Sequence, residues 1–148
     1  MSQGQTSLVI LLPIIAGSIV FTCLLVRFII SALWSTLSSR YPAHPVLPSA
    51  VSKGWQSITL HGWAGFNNCL TISVDERHLH LIPWRIIRAF GAPPVSIPWA
   101  VITDVRPAWP KAYAKARVGG TAIHAPAWCL ELAAPPAEDA DDDAPTPR

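Results

Sequence analysis

Charged residues are scarce in this 148-residue chain, at 14% of the sequence against about 25% in a typical soluble domain. They are also unevenly placed, because the first 34 positions hold a single charge, at Arg27. Residues 35–134 carry nine Lys and Arg against four Asp and Glu, whereas residues 135–148 carry five acidic residues against Arg148. The middle of the chain therefore gives little support to chemistry that needs paired carboxylates.

Cysteine is equally sparse, with three residues and no paired spacing, which excludes a disulfide-dense mini-protein. An apolar content of 51% excludes a wholly disordered chain. Nucleophile-elbow, Walker and G-x-G-x-x-G motifs are missing from the sequence. We therefore expect a protein that is not an enzyme and binds no cofactor. An excess of only five positive charges over residues 35–134 also argues against a nucleic-acid partner.

The sequence does contain one long apolar run, Leu8–Val26, of nineteen residues without a charge. A helix needs about 20 apolar residues to cross a bilayer. Apolar character resumes after Arg27, so we predict a membrane-spanning helix within residues 1–39, with Trp34 in an aromatic belt at the membrane interface. The run is too long, and its N-terminal flank too poor in basic residues, for a cleaved signal peptide.

The basic residues that flank this run predict its orientation. Arg27, Arg40 and Lys53 follow the apolar run, and no Lys or Arg precedes it. Because basic flanks stay in the cytoplasm, we expect the N-terminus outside and the remainder inside, in a bacterial inner membrane. After the helix we predict a Pro-rich linker at 40–54, a β-domain at 55–133 and a disordered acidic tail at 134–148.

Period-two alternation is clearest across Leu70–Ile82, which reads LTISVDERHLHLI. An even loop through Asp75 and Glu76 would keep the aliphatic residues on one face of a hairpin. A two-residue loop pairs Ile72 with Leu79, and a four-residue loop pairs Val74 with Leu79. Further strands are predicted at Gln56–Leu60, Arg85–Phe90, Val95–Ile97, Val101–Val105, Ala114–Val118, Thr121–His124 and Trp128–Leu132, with a hairpin turn at Gly119 and Gly120.

These segments resemble the pleckstrin-homology-like (PH-like) superfamily, especially GRAM domains and small PH-like domains of bacterial single-pass membrane proteins. The resemblance covers Leu70–Leu81 and the stretch VSIPWAVITDV at Val95–Val105. It implies a bent antiparallel barrel or half-barrel that binds lipid or protein. The closing C-terminal helix of that family is missing, because Ala133 leads directly into the acidic tail.

His78 and His80 occupy one face of the predicted hairpin, at the i, i+2 spacing of two zinc ligands. A third ligand is not evident from the sequence, since Cys69 lies at least one residue pair away. We therefore expect a solvated polar face and no metal, with Ile72, Leu79 and Leu81 carrying the packing.

Basic and aromatic residues alternate in two segments, and both are candidates for contact with an anionic surface. The predicted binding residues are Arg85, Arg88, Arg106, Trp109, Lys111, Tyr113, Lys115 and Arg117. Near an anionic leaflet each basic residue contributes roughly 1 kcal/mol, and tryptophan favours the headgroup level. We expect a membrane-anchored interaction module that binds a lipid surface or a membrane-protein partner. The alternative is a small accessory or assembly subunit of a larger membrane complex.

Overall fold

A helix of 38 residues, α1 (Gln3–Arg40), leads into an antiparallel sheet of seven strands. The computed structural model describes residues 3–133, with side chains from Ile10 onward, so the predicted acidic tail lies outside the described residues. Residues Ile10–Arg40 are apolar and long enough to cross a membrane. The predicted architecture is confirmed: an N-terminal apolar helix is followed by a small β-domain that curls into an antiparallel half-barrel.

The sheet places the last strand beside the first, which brings distant parts of the chain together. The strands are β1 (Val51–Leu60), β2 (Ala64–Val74), β3 (His78–Pro83), β4 (Val95–Pro98), β5 (Ile102–Ala108), β6 (Tyr113–Val118) and β7 (Thr121–Pro126). Their order across the sheet is β4-β3-β2-β1-β7-β6-β5. Two short helices, α2 (Arg85–Ala89) and α3 (Ala127–Leu130), follow β3 and β7, and single 3₁₀ turns occur at Trp99–Val101 and Glu131–Ala133.

Both predicted hairpins are present. In the β2–β3 hairpin Val74 pairs with Leu79 and Ile72 with Leu81, which is the register of the four-residue loop. In the β6–β7 hairpin Val118 pairs with Thr121 around Gly119 and Gly120. These two glycines have φ of 53° and 93°, and a two-residue turn with positive φ at both positions matches the twist of the flanking strands.

Two predicted strands are wrong, because the structure has short helices at those positions. Residues 85–89 form α2, with Phe90 as its C-cap, and in this helix Ile86 is exposed while its neighbour Ile87 packs against the core. Residues 128–132 belong to α3 and the following 3₁₀ turn, where Cys129 and Leu130 are both fully buried. A strand sends consecutive side chains to opposite faces, so a helical turn suits Cys129 and Leu130, which are adjacent and both buried. Ile86 and Ile87 are exposed and packed in turn, a pattern that a strand would also give. The first strand also begins at Val51, inside the predicted linker.

The C-terminal turns of α1 are part of the β-domain core. Trp34 and Leu37 have 0% and 1% of their surface exposed. The Trp34 indole donates a hydrogen bond to the Pro93 carbonyl at 2.6 Å and meets the Phe66 ring edge-on at 5.2 Å. The prediction that Trp34 lies in an interfacial belt is therefore wrong. The C-terminal part of α1 therefore packs apolar side chains against the sheet.

We predict that Trp34→Ala lowers the free energy of unfolding of the β-domain by about 3–5 kcal/mol, because it empties a fully buried site. Thermal unfolding of the full chain in detergent micelles, followed by near-ultraviolet circular dichroism, measures the change. Phe28→Ala is the matched control, since the Phe28 side chain is 71% exposed on the same helix. Equal unfolding temperatures for the two variants would contradict the packing of Trp34 in the core of the β-domain.

Candidate functional site

One end of the β-domain contacts α1 at Arg27, next to the C-terminal end of the exposed apolar segment of this helix. The Arg27 guanidinium donates a hydrogen bond to the Ala89 carbonyl, at the C-terminus of α2, at 2.6 Å. Gly91 approaches Ser31 so closely that an added Cβ would lie 3.0 Å from the Ser31 Cβ. These contacts place α2 against the helix immediately after the apolar run.

This end of the domain exposes large apolar and basic side chains side by side. Ile86 on α2 is 70% exposed and Trp63, in the β1–β2 turn, is 71% exposed. Trp63 and Ile87 line one groove with Ile29 and Ile30 of α1. We call the set of Arg27, Trp63, Arg85, Ile86 and Arg88 the proximal surface. It combines exposed apolar residues with cations at the end of an apolar helix, as the headgroup layer of a membrane requires.

The opposite end of the domain lies about 20 Å farther along α1, since Arg40 follows Arg27 by thirteen residues at about 1.5 Å each. There the Arg40 guanidinium donates to the Gly119 carbonyl at 2.9 Å. Gly119 also packs against Tyr41, whose hydroxyl would lie 2.5 Å from an added Cβ. The β6–β7 turn is therefore remote from Arg27 and α2. The β1–β2 turn that carries Trp63 lies between these two ends, because the His61 N–H donates to the Ala122 carbonyl at 2.9 Å.

The predicted binding residues fall into two groups. Arg85 and Arg88 belong to the proximal surface, whereas the remaining six lie on β5, β6 and the turn between them. Asp104 pairs with Arg106 at 2.6 Å and approaches Arg117 at 3.9 Å, which offsets part of the positive charge of this second group. These exposed pairs contribute little stability.

Trp109 and Lys115 lie close to the β1–β2 turn of the domain. They line a groove together with Gly62, which directly precedes Trp63. The Trp109 side chain is 89% exposed. Lys111 precedes β6, and Tyr113 begins that strand, with its ring 5.3 Å from the His124 ring. Burial, together with the nearby charge of Lys115, lowers the pKa of His124.

The polar face of the β2–β3 hairpin holds a hydrogen-bonded network that the sequence did not reveal. His80 Nδ1 shares a hydrogen bond of 2.8 Å with the Ser96 hydroxyl, and His80 Nε2 lies 2.8 Å from an oxygen of Asp75. His80, Ser96 and Asp75 are buried. The prediction of a solvated face is therefore wrong for His80.

The cover over this face comes from the segment that follows α1. The His44 backbone N–H donates to the Ser96 hydroxyl at 2.8 Å, and the His44 ring stacks on the His78 ring at a centroid distance of 5.0 Å. Ser52, at the start of β1, shares a 2.6 Å hydrogen bond with Ser73. Sequence alternation predicts which side chains share this face, but it cannot show that another segment crosses it.

Asp75 is the centre of the network. Its second oxygen accepts the backbone N–H groups of Arg77 and His78 at 2.8 and 2.7 Å, which closes the hairpin turn. Burial by itself would raise the pKa of Asp75, but the hydrogen bonds from His80 and from these two N–H groups outweigh it and lower the pKa below its usual value. The carboxylate is thus held ionised.

Ser96, His80 and Asp75 have the connectivity of a Ser–His–Asp array, yet their burial determines what they can do. The Ser96 side chain already bonds His44 and His80, and 2% of the residue is exposed. A nucleophile must reach a substrate carbonyl, which a hydroxyl in this position does not. The arrangement instead joins β3, β4 and the segment after α1 in one network.

Comparison of the chain with protein-family models, curated proteins and solved structures gave no match. The resemblance to PH-like and GRAM domains accordingly stays a prediction, and no protein family is assigned.

We predict that Asp75→Asn destabilises the domain near neutral pH and that the difference from wild type shrinks in acid. A lowered carboxyl pKa stabilises the fold above the unfolded value, near 3.8, and this contribution is lost as the pH falls toward the folded value. Unfolding temperatures of both chains in micelles, measured between neutral pH and about pH 3, test this. A difference that stays constant over that range would show that the Asp75 charge does not contribute.

Proposed function

We propose that this chain is a non-enzymatic, membrane-anchored interaction module whose β-domain rests on the lipid surface beside its own anchor. The observation that carries the proposal is the double role of α1. Its large side chains are exposed from Ile10 to Phe28, whereas Trp34 and Leu37 are buried in the domain. One continuous helix therefore links an apolar segment of membrane length to the core of the domain.

The length of the helix supports this assignment. Nineteen residues from Leu8 to Val26 extend about 28 Å, close to the roughly 30 Å of a hydrocarbon core. Arg27 then falls at the headgroup level, with Arg85 and Arg88 at the same end of the domain. The placement favours insertion of Ile86 and Trp63 among lipid headgroups.

The continuity of α1 also supports an uncleaved anchor. Cleavage after the apolar run would cut within a helix whose next turns bind the domain through Arg27, Ser31 and Trp34. The cluster of basic residues at the proximal surface agrees with a cytoplasmic location for the domain, in a bacterial inner membrane with the N-terminus outside.

Photo-crosslinking of the full chain tests the proposal. A photoreactive amino acid at Ile86, in chains reconstituted into bilayers with anionic lipid, should form covalent lipid adducts. The same group at Arg117, whose neighbour Val118 precedes the remote β6–β7 turn, is the matched control and should give few. Equal yields of lipid adduct at the two positions would contradict the proposal. A discrete protein adduct at Ile86 in native membranes would instead favour the accessory-subunit alternative.

We further predict that the double variant Arg85→Gln, Arg88→Gln reduces the preference of these adducts for anionic over neutral lipid. Two cations at roughly 1 kcal/mol each correspond to at most about a 30-fold change in preference, and added salt should diminish it. Arg106→Gln with Arg117→Gln is the charge-matched control, because Asp104 lies near both of these residues. An equal effect of both double variants would show that Arg85 and Arg88 of α2 have no special role in lipid binding.

A further inference from the structure

Three metal-ligating side chains converge at the turn of the β2–β3 hairpin. A carboxylate oxygen of Asp75 and one ring nitrogen each from His78 and His80 all lie within 4.8 Å of one another. Two imidazoles and one carboxylate form a ligand set typical of zinc and other first-row divalent metals. The three residues lie within six positions of the chain, on one turn and the strand that follows it.

The separations between the three groups lie on both sides of those in a bound site. The His80 Nε2 atom lies 2.8 Å from Asp75 Oδ2, and the His78 Nδ1 atom lies 3.9 Å from Asp75 Oδ1. Zinc bonds of about 2.0–2.2 Å to nitrogen and oxygen place tetrahedral ligands roughly 3.4 Å apart. These two distances end on different oxygens of Asp75, and the ligand atoms taken one from each residue lie within 4.8 Å of one another. Binding therefore requires shifts of up to about 1.4 Å between ligand atoms.

The supporting hydrogen bonds of a metal site are also present. The Ser96 hydroxyl oxygen can accept the His80 Nδ1 proton, which leaves the Nε2 lone pair for a metal. Ser96 is itself fixed by the His44 backbone N–H at 2.8 Å. The backbone N–H groups of Arg77 and His78 orient the carboxylate. Such outer contacts fix the direction of the ligands before the metal arrives.

The site is open on one side. The His78 side chain is 20% exposed, and the exposed His44 ring stacks on it. No side-chain hydrogen bond to either ring is found among residues 10–133. A metal can thus enter past these rings, and His44 is near enough to His78 to supply a fourth ligand after a side-chain rotation.

We propose that Asp75, His78 and His80 bind one Zn²⁺ ion. The metal replaces the proton shared by His80 and Asp75, and the neutral His80 ring keeps its own proton on Nδ1, bonded to Ser96. With His44 as the fourth ligand, the ion ties the segment that follows α1 to the β2–β3 hairpin. The site is structural, and it is separate from the proximal surface.

Metal analysis of the full, tag-free chain tests the site. The chain in micelles is treated with a chelator, loaded with Zn²⁺ and separated from free metal, and we expect one equivalent to remain. Co²⁺ in place of Zn²⁺ should give the strong visible absorption of a tetrahedral complex. Zinc should also raise the unfolding temperature, because it binds the folded chain.

Variants separate a metal site from a purely hydrogen-bonded network. His78→Ala removes a ligand but no side-chain hydrogen bond of the network, so the chain should fold and lose both retained zinc and thermal stabilisation. Ser96→Ala should weaken binding by about 10–100-fold. His61→Asn is the control, because this histidine lies in the β1–β2 turn and Asn tolerates its positive φ of 55°. A wild-type chain that retains no zinc, or a His78→Ala variant that retains as much as wild type, would overturn the proposal.

Discussion

The burial of Trp34 and Leu37 between α1 and the sheet is the packing interaction on which the rest of the structure depends. A small β-domain buries only part of its surface and needs large apolar side chains to complete its core. Here the helix that bears the apolar run supplies two of them. The indole of Trp34 also satisfies the Pro93 carbonyl, so the contact brings a hydrogen bond as well as apolar area. The apolar helix and the β-domain therefore share one core.

The chain that follows α1 covers the second face of the sheet by a different kind of interaction. The apolar face holds Ile72, Leu79 and Leu81, whereas the opposite face holds Ser73, His80 and Ser96. Burying that polar face would be costly if its groups were unpaired. The His44 backbone and the hydroxyl of Ser52 satisfy two of them. The C-terminal part of α1 and the segment that follows it thus contribute to the burial of both faces of the sheet.

Local signals in the sequence were sufficient to predict the hairpins. Alternation over Leu70–Ile82 and the pair Gly119–Gly120 depend on neighbours in the chain, and both predictions are confirmed. The overall architecture of a long apolar helix and a curled antiparallel sheet also followed from patterns of this kind. The consecutive buried residues of α3 differ because the edge of the core, and not strand alternation, decides their conformation. In α2 one isoleucine is exposed and the next is packed, which local alternation does not distinguish from a strand.

The sites were harder to predict, because they depend on contacts between distant segments. The residues around His80 in the sequence do not show that the segment near His44 covers it. The alternation of serine and histidine with apolar residues is equally typical of a face exposed to solvent. The same limit applies to Trp34, whose partners Phe66 and Pro93 lie more than 30 positions away. The basic residues were visible in the sequence, but the proximity of Asp104 to Arg106 and Arg117 was not.

Three polar contacts along α1 hold this helix rigidly against the β-domain. Arg27, Trp34 and Arg40 each bond a backbone carbonyl of the β-domain, at Ala89, Pro93 and Gly119. Contacts spread over about 20 Å of helix prevent the domain from pivoting on its anchor. Transmembrane helices are tilted by about 20° on average, and a change of tilt is one way in which they match the bilayer thickness. In the proposed membrane-anchored state, such a tilt would carry a point 20 Å along this rigid lever about 7 Å parallel to the bilayer and only about 1 Å toward it. The orientation of the domain over the bilayer, and not its height, would then follow the thickness of the membrane.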